Sequence, residues 1–253
     1  MSTVEGGLKK SKTNSNLHKI KVKRIYQKIN ENKSPYTFSI KKRVNNEHLL
    51  DNPSELLAYS KEFSPLSGSE HSYEPEKWND RESVRTTHNC YSYALGKIRH
   101  KLKSKAQPGY ASGHNYIDDV KDYNCKSFYK RVKKDNPYAY LEKFDNPCDK
   151  GFYKVFLALD IGNDYHWWRQ NGAKNNDNDT SGYWSHKPGS TNVTDVDASG
   201  KKIKNPILAD RKYSSLNYST PCFFMCVHKD LSQSMSVIYK NSKKRSTNNF
   251  NIF

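Results

Sequence analysis

The amino-acid sequence predicts an α+β fold: a helix that carries a cysteine, packed on an antiparallel sheet. Cys90, Ala94, Ile98 and Leu102 recur every four residues with Leu95 beside them, which is the apolar stripe of a helix. From Gly151 the texture changes. Tyr153, Val155, Leu157 and Leu159 alternate with Lys154, Phe156, Ala158 and Asp160, the period of a strand covered on both faces. Helical segments come first and stranded ones after, the order expected of α+β rather than of alternating βαβ units.

The chain has 253 residues and a net charge of +17, with 34% hydrophobic and 27% charged residues. The low apolar share predicts that part of it lies outside any core. Residues 1–50 read as a basic, disordered leader, since twelve Lys or Arg stand there against three Glu and no Asp. Within it, Leu17 to Ile29 has the spacing of a short amphipathic helix. Its lysines suit a polyanion or nucleic acid, though no aromatic residue interleaves with them before Tyr26. Residues 51–230 are the folded domain, and 231–253 a polar basic tail with Lys243, Lys244 and Arg245.

Within the domain, Leu56, Leu57 and Tyr59 suit a short helix after the Asp51–Pro53 turn. A loop through Pro65 and Gly68 and a strap from Tyr73 to Trp78 follow. Thr86, Thr87 and Asn89 are N-cap types, so the helix starts at Cys90; Gln107-Pro108-Gly109 stops it after about Lys103. A second helix is expected over 116–132, with Cys125 inert on its apolar rim. Strands follow at Tyr153–Asp160, Tyr165–Gln170, Gly182–Lys187 and Thr220–His228. A small hairpin around Val193, Val196 and Ile203 precedes the last of them.

A thiol in the first turn of a helix faces free amide N–H groups and the positive end of the dipole, which lowers its pKa and favours thiolate. A cysteine nucleophile also needs a base, and the base needs a third group to set its tautomer. His166 and His186 lie on consecutive predicted strands. Paired as a hairpin, those strands set the imidazoles side by side on the face covering the Cys90 helix. Cys90 is then the nucleophile, His166 the base and His186 its orienting partner; Asp195 and Asp197 are the alternatives for the third position.

A helix-opening cysteine, a histidine on a strand and a polar residue on the neighbouring strand together resemble the papain-like cysteine hydrolases. The compact branch that includes bacterial cell-wall endopeptidases is the most similar. The wording Asn89-Cys90-Tyr91-Ser92-Tyr93-Ala94, Asp164-Tyr165-His166-Trp167-Trp168-Arg169-Gln170 and Trp184-Ser185-His186-Lys187-Pro188-Gly189 also resembles uncharacterised proteins of bacteria, eukaryotes and large DNA viruses. The resemblance covers roughly residues 75–228. It implies a papain-like fold and cleavage of a peptide or peptidoglycan-like amide through a thioester, with Cys90, His166 and His186 in those roles and no cofactor. Two departures stand out. Residues Ala173 to Ser181 lengthen the loop between the histidines, and no glutamine precedes Cys90 to serve an oxyanion, leaving that task to backbone N–H groups.

Other chemistries fit less well. Asp177-Asn178-Asp179-Thr180-Ser181-Gly182 opens like a calcium loop but has Pro188 at its twelfth position instead of a glutamate. Cys222, Cys226, His228, His88 and Cys90 contain zinc-type ligands, yet four residues along a strand separate Cys222 from Cys226 by about 13 Å. Five cysteines, one of them necessarily odd, do not suggest a disulfide framework, and no signal-type or spanning apolar run is seen. An intracellular or virion-associated protein is therefore expected, with export by a route that needs no such signal left open. The alternative to the enzyme is a structural or packaging protein that keeps the fold and binds polyanions or nucleic acid.

Overall fold

The computed structural model describes residues 46–98, 105–117, 119–173 and 180–230. The basic leader up to residue 45, the calcium-like Asp177–Asp179 triplet and the tail from 231 lie outside the described residues. A 3-10 turn over Asn46–Leu50 buries Leu49, so the core recruits residues ahead of the expected boundary at 51. Short helices follow: α1 (Pro53–Leu57), α2 (Glu76–Asn79), α3 (Glu82–Arg85) and α4 (Cys90–Ala94). Among the described residues the longest helix is α5, Cys125–Asp135.

The strands are β1 (His71–Ser72), β2 (Tyr140–Leu141), β3 (Phe152–Asp160), β4 (Asp164–Gly172), β5 (Trp184–His186), β6 (Lys212–Tyr213), β7 (Leu216–Asn217) and β8 (Thr220–His228). The main sheet runs β1-β4-β3-β8-β2, with β5 also on β4, and β6 and β7 form a separate pair. The architecture is α+β. β3, with β4 and β8 antiparallel on either side, is buried over Phe152–Leu159, which is why its sequence is apolar on both alternating sets.

The two faces bury different residues. Tyr165, Trp167, Leu157, Leu159, Phe223 and Met225 meet α4 and α5. Phe156, Ala158, Trp168 and Phe224 meet Phe144, Trp184, Ile203 and Tyr218 on the other face.

Two expected helices are shorter than their periodicity implied. α4 stops at Ala94 because Gly96 follows in the left-handed region (φ 64°). The Gly96 N–H bonds Tyr93 O (2.9 Å) and the Lys97 N–H bonds Ser92 O (3.1 Å), the paired bonds of a Schellman ending. A side chain at Gly96 has no room either: a Cβ there sits 2.4 Å from His71 Nε2. The second helix starts at Cys125, where Asn124 caps it by accepting the Ser127 N–H at 3.0 Å; only a 3-10 turn, Val120–Asp122, precedes it.

The cysteines overturn the expectation of no disulfide framework. Cys125 joins Cys222 and Cys148 joins Cys226, with Cα separations of 5.2 and 5.7 Å, leaving Cys90 as the free one. A bulge makes the first bridge. Leu157 pairs with Phe223 and Ala158 with Pro221, so Cys222 is the extra residue. Regular alternation would aim Cys222 the same way as Phe224; the bulge turns it onto the helix face, where α5 begins. Pro221, which donates no N–H, sits at this same irregularity. With their sulfurs bonded pairwise, Cys222 and Cys226 are not thiolate ligands. Among the described residues no cluster of three His, Cys, Asp or Glu is placed to hold a metal. No described helix is long and apolar enough to cross a membrane.

Candidate functional site

The site is assembled by β4 and its neighbours. Asn89 caps α4, accepting the Ser92 N–H at 3.1 Å while its own amide donates to Ala106 O at 2.8 Å. Buried polar contacts lock α4 to the sheet. Arg169 on β4 donates to Tyr93 O (3.1 Å) and stacks 4.1 Å over the Tyr93 ring. The Tyr93 hydroxyl meets Ser185 Oγ on β5 at 2.6 Å, and Ser185 donates to Asn171 Oδ1 at 2.6 Å. Lys187, just beyond β5, sends its ammonium to the carbonyls of Arg85 (2.6 Å), Gly189 (2.8 Å) and Thr191 (2.9 Å). Arg169 and Lys187 stand in the quoted motifs without a role of their own; a charged residue inside an apolar strand, or directly after one, is the signal that marks them.

β4 and β5 do pair antiparallel, with Trp168 opposite His186. The two imidazoles come together: His166 Nε2 lies 2.8 Å from His186 Nδ1, and His186 Nε2 lies 3.0 Å from Val196 O. They do so on the face away from α4. Tyr165 and Trp167 occupy the helix face, so the two-residue period sends His166 to the other side, against Trp168 and Tyr218. The expectation that the histidines cover the Cys90 helix is corrected on that ground.

Cys90 reaches the same place from the edge of the sheet. On β4, the Asn171 N–H bonds Tyr183 O and Asn171 O accepts the Gly182 N–H, so the peptide groups of alternate residues, Tyr165 and Trp167 included, face outward toward the β5 side. β5 ends at His186, opposite Trp168, which leaves the Tyr165–Trp167 edge to Cys90. Its Sγ lies 3.8 Å from Tyr165 O, with the Trp167 amide beside it. The thiol thus rests against the peptide groups on either side of His166. Among the described residues no hydrogen bond joins it to the His166 ring.

The electrostatics run opposite to the expectation for Cys90. Burial, then the Asp164 carboxylate, push the thiol up to about 12 against the pull of the Trp167, Tyr91 and Cys90 amides. A five-residue helix has little dipole to set against complete burial. Burial, and then His186, hold His166 well below its ordinary value; burial brings His186 down to about 4 although Val196 O, Asp195 and Asp197 favour its charged form. Both rings are therefore neutral at pH 7. The carbonyl of Val196 only accepts, so His186 Nε2 carries the proton and its Nδ1 is bare. His166 Nε2 must then donate to it, and the lone pair of His166 is left on Nδ1.

Acid should destabilise the domain through these rings. His71 is brought to about 2 by burial and then by Arg169, and His186 to about 4. Below about pH 6.5 the unfolded chain binds protons that the native one refuses, so stability present at pH 7 is lost as pH falls. At pH 5 each of the two histidines accounts for about 2 kcal/mol. Melting temperature measured between pH 7.5 and 5 should drop by roughly 10 °C. A flat profile would contradict neutral, buried rings.

The fold and site define an α+β protein braced by two disulfides, with a buried cysteine at the strand edge and two hydrogen-bonded histidines beside it. The chain belongs to the family of a shell matrix protein. It is 32% identical over 139 residues to "Insoluble matrix shell protein 1" of Ruditapes philippinarum, an alignment covering 55% of this chain and 80% of that protein. No protein-family profile matches the chain. No solved structure matches it.

Proposed function

We propose that the domain is papain-like and that Cys90, His166 and His186 form a thiol site for cleaving an amide bond. The chain of protons carries the reading: Val196 O fixes His186, His186 fixes His166, and the remaining lone pair sits on His166 Nδ1, the atom a base needs. Thiol and imidazole are both neutral at rest. The thiol must turn from Tyr165 O to His166, and its proton passes to Nδ1 as Sγ attacks the carbonyl carbon. The oxyanion takes the backbone N–H groups of the α4 start. Nδ1 returns that proton to the amine as the C–N bond breaks, leaving a thioester; water, deprotonated by the same nitrogen, attacks it, and the departing thiolate takes that proton back as the acid is released.

Single variants on an amide found by screening peptides and peptidoglycan fragments test this. Cys90→Ser should abolish turnover, and His166→Ala should lower kcat by about 10³-fold or more. His186→Ala should cost about 10–100-fold and leave residual activity, because nucleophile and base survive. Thioester capture at Cys90 by mass spectrometry is the direct readout. Wild-type rates in His186→Ala together with loss in Asp195→Ala or Asp197→Ala would reassign the third residue.

A second reading has its own support: a non-catalytic matrix or packaging component that holds polyanions. Membership in a shell matrix protein family, a charge of +17 and a shut, protonated thiol all favour it. Two disulfides suit an oxidising compartment better than the reducing one expected from the cysteine count.

A further inference from the structure

Beside the turn that carries Val196 lies a groove of about 450 Å³, walled by the 59–62 loop and the 197–209 region. Lys61, Lys201, Lys202 and Lys204 line it against two carboxylates, Glu62 and Asp197. Four lysines against two carboxylates leave the lining a net charge of +2. Asp197 spends its oxygens on the amides of Ser199, Lys201 and Asp210 and on the Ser199 hydroxyl, which fixes the turn. Glu62 pairs with Lys204 in a contact exposed on both sides, a kind that contributes little. The Lys202 ammonium lies over the Tyr183 ring, 3.7 Å from the Asp195 carboxylate, and that of Lys204 over Phe63, so both lysine stems are guided.

Asn205 is the independent observation. It lines the groove yet is only 4% exposed. Its Oδ1 accepts the Ile207 N–H at 2.9 Å, while its Nδ2 has no partner among the described residues. An unpaired buried amide costs free energy unless something accepts from it. An oxygen-bearing anion supplies both the acceptor and the charge.

We propose that this groove binds an acidic polysaccharide, with Asn205 Nδ2 donating to a ring-borne oxygen and the lysines holding carboxylate or sulfate groups. The partly exposed Tyr59 ring and the exposed Leu208 side chain offer apolar walls to the C–H faces of sugar rings. One exposed aromatic ring does not make the stacking platform that single-stranded nucleic acid uses. Loop and turn walls give an acidic peptide no strand edge to extend. The proposal rests on the second reading above, deepens it by naming the ligand class, and does not involve Cys90.

The test measures binding of the full chain at about 150 mM salt to chondroitin sulfate, with neutral dextran, poly-glutamate and single-stranded DNA beside it. Asn205→Asp keeps the acceptor for Ile207 but puts a carboxylate where the donor was; Lys202→Glu changes the wall without touching that bond. Each should weaken chondroitin sulfate binding about tenfold or more and DNA binding less than about twofold; Asn205→Asp, which buries a carboxylate, should also lower the melting temperature, whereas Lys202→Glu should leave it nearly unchanged. Chondroitin sulfate affinity that both variants leave unchanged overturns the groove, and the matrix reading survives on binding elsewhere in the chain. Loss shared equally with DNA reduces the effect to bulk charge and overturns it too. Tighter, Asn205-dependent binding of poly-glutamate makes the occupant an acidic peptide, and no polyanion binding at all ends the matrix reading itself.

Discussion

Reducing the native protein should lower its melting temperature by well over 10 °C, and removing either bridge alone should account for a large part of that. Cys125 and Cys222 are 97 residues apart, and Cys148 and Cys226 are 78 apart. Closing loops of that size removes enough unfolded-chain entropy to stabilise the fold by about 3–5 kcal/mol per bridge. For a domain of this size each kcal/mol moves the midpoint by about 2–4 °C. Both bridges end on β8, one on the helix face and one on the other, so their loops overlap and the two effects should not simply add. Melting followed by circular dichroism, with and without reductant and in Cys125→Ala/Cys222→Ala and Cys148→Ala/Cys226→Ala, measures this. Thiol counting supplies the check: one thiol in the denatured, unreduced chain and five after reduction. Five thiols without reductant would remove the bridges from the account.

What could be read from the sequence divides along physical lines. β3, β4 and β8 were legible because their order comes from short-range alternation and from turns such as Gly162-Asn163. The His166–His186 pair was legible for the same reason, since it needs only two neighbouring strands. Which face the pair takes was not, because it depends on Tyr165 and Trp167 winning the helix side in competition. The disulfides are not legible because an odd cysteine count argues against a framework, whereas the odd one is the thiol buried at the strand edge; the Cys222 bridge further depends on a bulge that no periodicity announces. The length of α4 is not legible because the Cys90–Leu102 spacing continues past Gly96, where the helix ends. The thiol's direction of shift is not legible for one reason: position at a helix start is visible in a sequence, and burial is not. Lys154 is a similar case. Its ammonium, inside β3, is held by Ser64 Oγ and by the carbonyls of Lys143, Phe144 and Asn146, a cradle made by distant loops.

Cys90 in the folded protein should be among the least reactive of thiols. With its pKa pushed up to about 12, roughly one thiol in 10⁴ is ionised at pH 8, against about one in four for an ordinary cysteine. Alkylation by iodoacetamide should therefore be about 10³-fold slower in the native than in the denatured chain, before steric shielding adds to it. Its rate should rise tenfold per pH unit from 8 to 10 without a plateau, while the denatured chain levels off above about pH 9. Asp164 is the second cause of the upward shift, so Asp164→Asn should speed labelling several-fold. His166→Ala tells a neutral pair from an ion pair. With both groups uncharged at rest, removing the imidazole should change the rate at pH 8 by less than about threefold; a thiolate–imidazolium pair would collapse with it. Adducts at Cys90 followed by mass spectrometry give each rate. Fast native labelling with a plateau below pH 8, abolished by His166→Ala, would show that the thiol is stored as thiolate, and the proton transfer to His166 Nδ1 would then precede substrate binding instead of accompanying attack.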